Sequence, residues 1–351
     1  MTLISSQVYI VELFESNLIA IPSHFATMLP LQINIKDFSM WFKNIQIYQL
    51  GSRMVFDPEA LAEKLEELAF TPCLPTLAES LGWISPIDQE GRSLVYGVNG
   101  YMMFCLQFEE KILPATVIRE AVKEKVKEIE ADQDRKVRAK EKQDLKEAII
   151  YKLRPQAFSR FTKVHAYIDT KNNLLIINTT STSRLEKFLA WIKRSLPSVD
   201  LINPVVKKPN IEMTNWLMHQ STPGNLIIDK TCMLQDPSEQ SRVVRCKDQN
   251  LSAPHVQAFM KDGYEVKQLA LIWQDHIRFT LTEMFNFKGI RFEEELLTAA
   301  KDDAAETPEQ QFDADFLIMT ETLTGMISEL LGYFLKPSSE TSIEQKEEVT
   351  A

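Results

Sequence analysis

Between residues 114 and 154 the chain goes on forming helix after the reason for a core helix has run out, and this constrains everything around it. Pro114 suits a first helical turn, and Ile118, Val122, Val126 and Ile129 recur at the spacing of one buried face. Past Ile129 the stretch ADQDRKVRAKEKQDLKEAII keeps strong helix formers but loses the apolar stripe. A helix that is polar all round has no place inside a core, so it is expected to leave the body and project into solvent until Pro155 stops it. The core must then come from both sides: a first α/β portion over 40–113, a helical arm over 114–162, and a second α/β portion over 163–336.

Both flanks read as strands and helices joined by short turns. Trp41 to Leu50 is patterned as a strand. Asp57-Pro58 opens a helix running to about Leu68, with Asp57 as its N-cap. A loop punctuated by Pro72, Pro75 and Pro86 leads to a strand from Val95 to Phe108, inside which Asn99-Gly100 offers a tight turn. After the arm, His165–Asp169 and Leu174–Asn178 read as a hairpin turning at Lys171-Asn172-Asn173, followed by a helix over Ser183–Ser195. A connector of mixed character over 197–252 precedes a helix at 253–262, strands near 265–273 and 276–284, and a last helix from Ala314 to Phe334. Strand pairs joined by short turns make the expected class α+β, with antiparallel sheets and flanking helices. Residues 1–39 lack the positive start and cleavage site of a secretory signal. They are expected to be an N-terminal extension, poorly ordered or an upstream-start artefact, with Met40 the native start. The polar, acidic tail 337–351 is expected to be disordered.

Charge sharpens the picture. The 351 residues carry a formal net charge of −10. Setting aside 1–39 and 337–351 leaves 37 basic and 42 acidic residues, so a polyanion partner is compatible only with strongly segregated charge. That segregation is present. Ten basic residues (Arg135, Lys136, Arg138, Lys140, Lys142, Lys146, Lys152, Arg154, Arg160 and Lys163) lie in one stretch opposed only by Glu141, Asp144 and Glu147. Clustered cations release condensed counterions when they meet phosphates, whatever the base sequence. A solvated helical face would show the same charge run. What tips the balance is the end of the segment, Arg154-Pro155-Gln156-Ala157-Phe158-Ser159-Arg160-Phe161, where Pro155 is expected to place Phe158 and Phe161 near the tip of whatever projects. Exposed aromatics call for a partner, and the expectation is a subunit contact for Phe158 and core packing for Phe161.

Enzyme motifs are sparse. The chain has no glycine-rich phosphate loop, no HExxH and no GxSxG. Asp313-Ala314-Asp315, with Glu321 nearby, could hold a divalent metal for nuclease chemistry, but a role for Asp313 or Asp315 as helix N-cap is the plainer account. Cys73, Cys105, Cys232 and Cys246 form no CxxC pair and read as buried or partly buried free thiols, so neither metal nor cofactor is expected.

The stretches MWFKNIQIYQL, LAFTPC, Gly82-Trp83, EEKILPATVI, the basic helix, FSRF and the Tyr167-Ile168-Asp169-Thr170 turn resemble the RdgC family of recombination-associated proteins. So do KQLALIWQDHIRFTL at 267–281, Lys288 to Phe292, and FDADFLIMTETL at 312–323. The resemblance implies a cytoplasmic, nucleoid-associated, non-enzymatic protein. Its horseshoe-shaped subunits would pair as a ring-like homodimer through contacts that include the second α/β portion. The ring would encircle double-stranded DNA without reading its sequence and keep the RecA recombinase from acting on it. It further implies Phe158 as the dimer or gate contact. The implied DNA-binding residues are Arg135, Lys136, Arg138, Lys140, Lys142, Lys146, Arg154 and Arg160 of the arm, with Arg245, Lys247 and Gln249. Two departures weaken the positive potential: Gln156 where the family commonly has arginine, and Asp248 where a second lysine is expected. The alternatives are a scaffold whose basic arm docks an acidic protein, and a metal-dependent nuclease using Asp313 and Asp315.

Overall fold

The computed structural model describes residues 41–51, 57–87, 93–204, 207–302 and 307–335, so the expectations for 1–39 and for the acidic tail lie outside the described residues. Two antiparallel sheets organise the chain. The first contains β1 (Gln46–Leu50), β2 (Glu79–Ile84), β3 (Val95–Val98), β4 (Tyr101–Lys111), β5 (Ser159–Asp169), β6 (Leu174–Ile177) and β7 (Leu201–Ile202). Its order is β2-β4-β5-β6-β1-β7, with β3 also paired to β4. The second contains β8 (Leu226–Gln235), β9 (Val243–Cys246), β10 (Glu265–Trp273), β11 (Ile277–Thr282) and β12 (Phe287–Phe292), in the order β12-β11-β10-β8-β9. The helices are α1 (Pro58–Glu66), α2 (Ala115–Gln133), α3 (Ala139–Leu153), α4 (Thr182–Ser195), α5 (Pro209–His219), α6 (Pro254–Lys261), α7 (Glu294–Asp302) and α8 (Pro308–Phe334). This is the antiparallel α+β class read from the sequence.

Several local signals act as chemistry requires. Asp57 caps α1 by accepting from the Ala60 amide at 3.0 Å. Asn99 and Gly100 take φ of 50° and 84°, turning β3 into β4. Asp169, almost fully buried, accepts from the Lys171 and Asn172 amides at 3.0 and 3.1 Å and so sets the turn between β5 and β6.

The first sheet is covered on both faces, which explains the unbroken apolar run of β4. Met102, Phe104, Leu106 and Phe108 belong to a core cluster with Leu185, Phe188 and Ile192 of α4. Trp83 meets Phe104 and Phe188 edge-on and donates its indole N–H to Ser195 at 2.9 Å. Tyr101 and Tyr167 instead meet Phe316 of α8. The second sheet joins through the segment before β1. Ile45 exchanges two backbone hydrogen bonds with Phe287 of β12, at 2.9 and 3.0 Å, before the chain enters β1. All four cysteines are buried thiols outside any disulfide. Cys232 faces Cys246 across β8 and β9, and burial, reinforced by that neighbour, pushes its thiol up to about 12.

Other expectations are corrected. Residues 114–154 are not one helix: α2 stops at Asp134, a left-handed residue (φ 43°, ψ 42°), and α3 turns back. The proline-rich loop contains β2, whose pairing to β4 is non-local, and the connector 197–252 contains β7, α5, β8 and β9. The last helix begins at Pro308 with Thr307 as N-cap in a capping box with Gln310, so Asp313 and Asp315 lie inside it and cap nothing.

Gly82 has its own reason. A β-carbon there would lie 2.2 Å from the Phe70 Cα, because the Phe70 amide donates to the Trp83 carbonyl at 2.9 Å and the Trp83 amide to the Leu68 carbonyl at 3.0 Å at this crossing. Gly82→Ala is expected to cost about 1–3 kcal/mol through forced backbone displacement. A urea midpoint unchanged from wild type would contradict this.

Candidate nucleic-acid interface

The basic segment forms a helical hairpin inserted into the β4–β5 connection. The two strands pair without a break from Tyr101↔Asp169 to Lys111↔Ser159, and the Ile112 amide then donates to the Phe158 carbonyl at 2.8 Å. Phe158 therefore lies where the hairpin rejoins the sheet, while the far end is the loop Asp134–Arg138. That loop is closed locally. The Val137 amide donates to Glu130 at 3.0 Å, and Arg135 forks onto Glu141 with contacts of 2.7 and 2.6 Å. The guanidinium beside Glu141 holds that carboxyl below its ordinary range.

The basic residues divide by what they touch. Arg135, Arg154 and Arg160 are engaged within the protein: Arg154 donates to the Thr76 carbonyl at 2.9 Å and Arg160 pairs with Glu110 at 2.6 Å. Lys136, Arg138, Lys140, Lys142 and Lys146 are exposed and make no ion pair among the described residues. Arg245 lies on β9, and Lys247 and Gln249 follow it, all exposed, with Asp248 between them in a left-handed conformation (φ 53°). The expected residues thus form two groups, one on the hairpin and one at the edge of the second sheet.

Sequence reasoning missed a third set. Arg119, Lys123 and Lys127 recur every four residues along α2 and line a furrow opposite Lys142 and Lys146 of α3. Their spacing was visible, but nothing local showed that α3 folds back beside it.

Phe158 is 85% exposed, and Leu74, Leu77 and Ile112 are exposed large apolar residues on segments that reach the same corner. Phe161, expected in the core, is 57% exposed and only touches Phe70 edge-on at 6.5 Å. It sits opposite Glu109 near the start of β5, at the third residue pair from the end of the β4–β5 ladder. In α8, Tyr96 donates its hydroxyl to Asp313, and Gln311 donates to Asp315 at 2.9 Å. No group of three or more His, Cys, Asp or Glu among the described residues is arranged to hold a metal ion, and no described helix is long and apolar enough to cross a membrane.

A family model described as "Putative exonuclease, RdgC" matches residues 40–336. The chain belongs to the RdgC family. It is 33% identical to the recombination-associated protein RdgC of Serratia proteamaculans over 289 residues, 82% of this chain and 95% of the relative. It is 32% identical over 293 residues to proteins of the same name from Yersinia pestis and Yersinia pseudotuberculosis, covering 83% of this chain and 97% of each relative.

The root of the hairpin rests on Glu109. Its buried carboxylate accepts from Ser159 at 2.6 Å and from the Cys73 amide at 2.7 Å, tying two strands and a loop together. The Ser159 hydroxyl, followed by the Cys73 amide and Lys111, holds its pKa below the ordinary value against the opposing effect of burial. A depressed folded pKa means stabilisation fully present above the unfolded value, about 4.3, and lost as pH falls through the folded one. The stability gap between wild type and Glu109→Gln should therefore be widest at neutral pH and close on acidification. Urea unfolding across a pH series reads it, and a gap independent of pH would refute the assignment.

Proposed function

We propose that this chain binds duplex DNA without reading its sequence, as a homodimeric ring around it, and limits RecA-promoted recombination by occupying DNA in the nucleoid. The observation that carries the reading is the hairpin of an RdgC-family chain presenting five exposed cations, Lys136, Arg138, Lys140, Lys142 and Lys146, of which only Arg138 stands beside a carboxylate, Glu141, in a protein of net charge −10. Phosphate contacts from such cations are strong in sum and carry no base information. Arg245, Lys247 and Gln249 supply a second group of backbone contacts. Closure of a ring converts these contacts into long residence, because the protein leaves sideways only by opening an interface.

Phe158 is the natural closing contact. Fully burying a phenylalanine is worth about 1.5–3 kcal/mol, and this one is exposed beside other apolar residues in the single chain. The sequence-named departures bear on affinity: Gln156 leaves one charge fewer beside Phe158, and Asp248 interrupts the basic edge of the second sheet.

Fluorescence anisotropy across a salt series tests the DNA reading. Neutralising about six phosphates gives a log–log slope near −5, equal for unrelated duplexes. Reversal of Lys136, Arg138, Lys140 and Lys142 to glutamate should abolish binding with the fold intact, and unaltered affinity would remove the hairpin from the DNA path. Phe158→Ala should shorten retention on circular duplex without unfolding. Unchanged retention with an intact dimer would sink the gate assignment.

The family description favours a second reading, an exonuclease. Its candidate carboxylates, Asp313 and Asp315, stand two residues apart in α8 on different sides of the helix, so they do not share one cation. Digestion of end-labelled duplex with Mg²⁺, lost in Asp313→Asn with Asp315→Asn, would replace occupancy by catalysis.

A further inference from the structure

The furrow between α2 and α3 is a cavity of about 970 Å³ with an unusual division of chemistry. Its floor is aliphatic: Ile118, Val122, Val126 and Ile150. Its banks are cationic, with Arg119, Lys123 and Lys127 on one side and Lys142 and Lys146 on the other. No carboxylate lines it: Glu124, Glu128, Glu141, Asp144 and Glu147 lie outside the lining, and Glu120 touches it only through Lys123, at 3.5 Å. From Arg119 to Lys127 the bank rises about 12 Å, a little over two helical turns.

Duplex DNA uses the banks but gains nothing from an aliphatic floor. Single strands stack on aromatic rings, and none lines the furrow. The chain's own segment 337–351 has the matching charge, with Glu340, Glu344, Glu347 and Glu348, but Ile343 and Val349 are its only branched aliphatic residues. A ligand that satisfies floor and banks together has an apolar stripe flanked by carboxylates.

We propose that this furrow is a docking site for an acidic amphipathic helix of a partner protein, with its apolar stripe on Val122, Val126 and Ile150 and its carboxylates on the two banks. Lys142 and Lys146 also belong to the DNA-binding group, so the docked helix and the duplex exclude each other. Docking itself stands on the furrow alone; the competition rests on the DNA reading.

The probe is a fluorescein-labelled helical peptide of about four turns, leucines on one face and glutamates elsewhere, titrated with the full chain beside a scrambled peptide of equal composition. The patterned peptide should bind saturably and stay bound at about 0.3 M salt, where screened charges alone fail, while the scrambled one does not. Val126→Asp, at a half-buried position, should weaken peptide binding at least about tenfold and leave DNA affinity unchanged. Lys123→Glu with Lys127→Glu, outside the DNA group, should weaken it about tenfold as well. Duplex should displace the peptide from wild type. If the chain binds peptide but not duplex, the DNA reading falls and the docking site stands. Equal binding of the scrambled peptide, or indifference to Val126→Asp in a variant with wild-type circular dichroism, overturns the proposal. So does a gain of about tenfold on deleting 337–351, which would make the chain's own tail the occupant.

Discussion

The packing of α8 across both sheets is the contact on which the rest depends. Phe316, fully buried, touches Tyr96, Tyr101 and Tyr167 of the first sheet, and Thr324 donates to Asp169 at 3.1 Å. Further along the helix, thirteen residues beyond Phe316, Glu329 accepts from the Trp273 indole at 2.8 Å, and Phe334 packs on Trp216 and Phe285. At 27 residues the helix is about 40 Å long, enough to serve both cores in sequence. Glu329 is placed to join rather than to react: the Asn225 amide and the indole hold it ionised against burial, fixing helix to strand. With the body clamped in this way, β4 and β5 can support a hairpin in which no residue of α3 is fully buried.

The legible parts of the fold were those with a local cause. Asp57, Asn99-Gly100 and the turn at Asp169–Asn173 each satisfy their own backbone within a few residues, so the sequence alone announces them. β2 was hidden because ESLGWI lies between prolines and finds its partner, β4, more than twenty residues away. The break at Asp134 was hidden for another reason. No glycine marks it; an aspartate takes the left-handed conformation, and the reversal is held by Glu130 and by Arg135 on Glu141, contacts that exist only once the turn has formed.

The same limit shaped the reading of the site. A charge run is visible in one dimension, but which of its cations face solvent is decided in three. Arg135, Arg154 and Arg160 look equivalent to their neighbours in sequence, yet each is occupied in shaping or anchoring the hairpin. Phe161, expected in the core, instead lies opposite Glu109 on the outer part of the β4–β5 ladder, more than half exposed and meeting Phe70 edge-on.

Charge segregation here follows from the fold rather than from composition. α2 and α3 together carry eight acids and eight bases, so a single straight helix would present a mixed surface of no net charge. Folding the segment at Asp134 brings Arg119, Lys123 and Lys127 opposite Lys142 and Lys146, while Glu128 pairs with Lys125 outside the furrow and Glu120 touches the bank at Lys123. The reversal therefore creates the positive field that the net charge of −10 argues against, and it does so without adding a cation. In the DNA-binding reading this makes the turn at Asp134–Arg138 as much a determinant of affinity as the lysines themselves. A chain with the same charges and a straightened helix would lose the site.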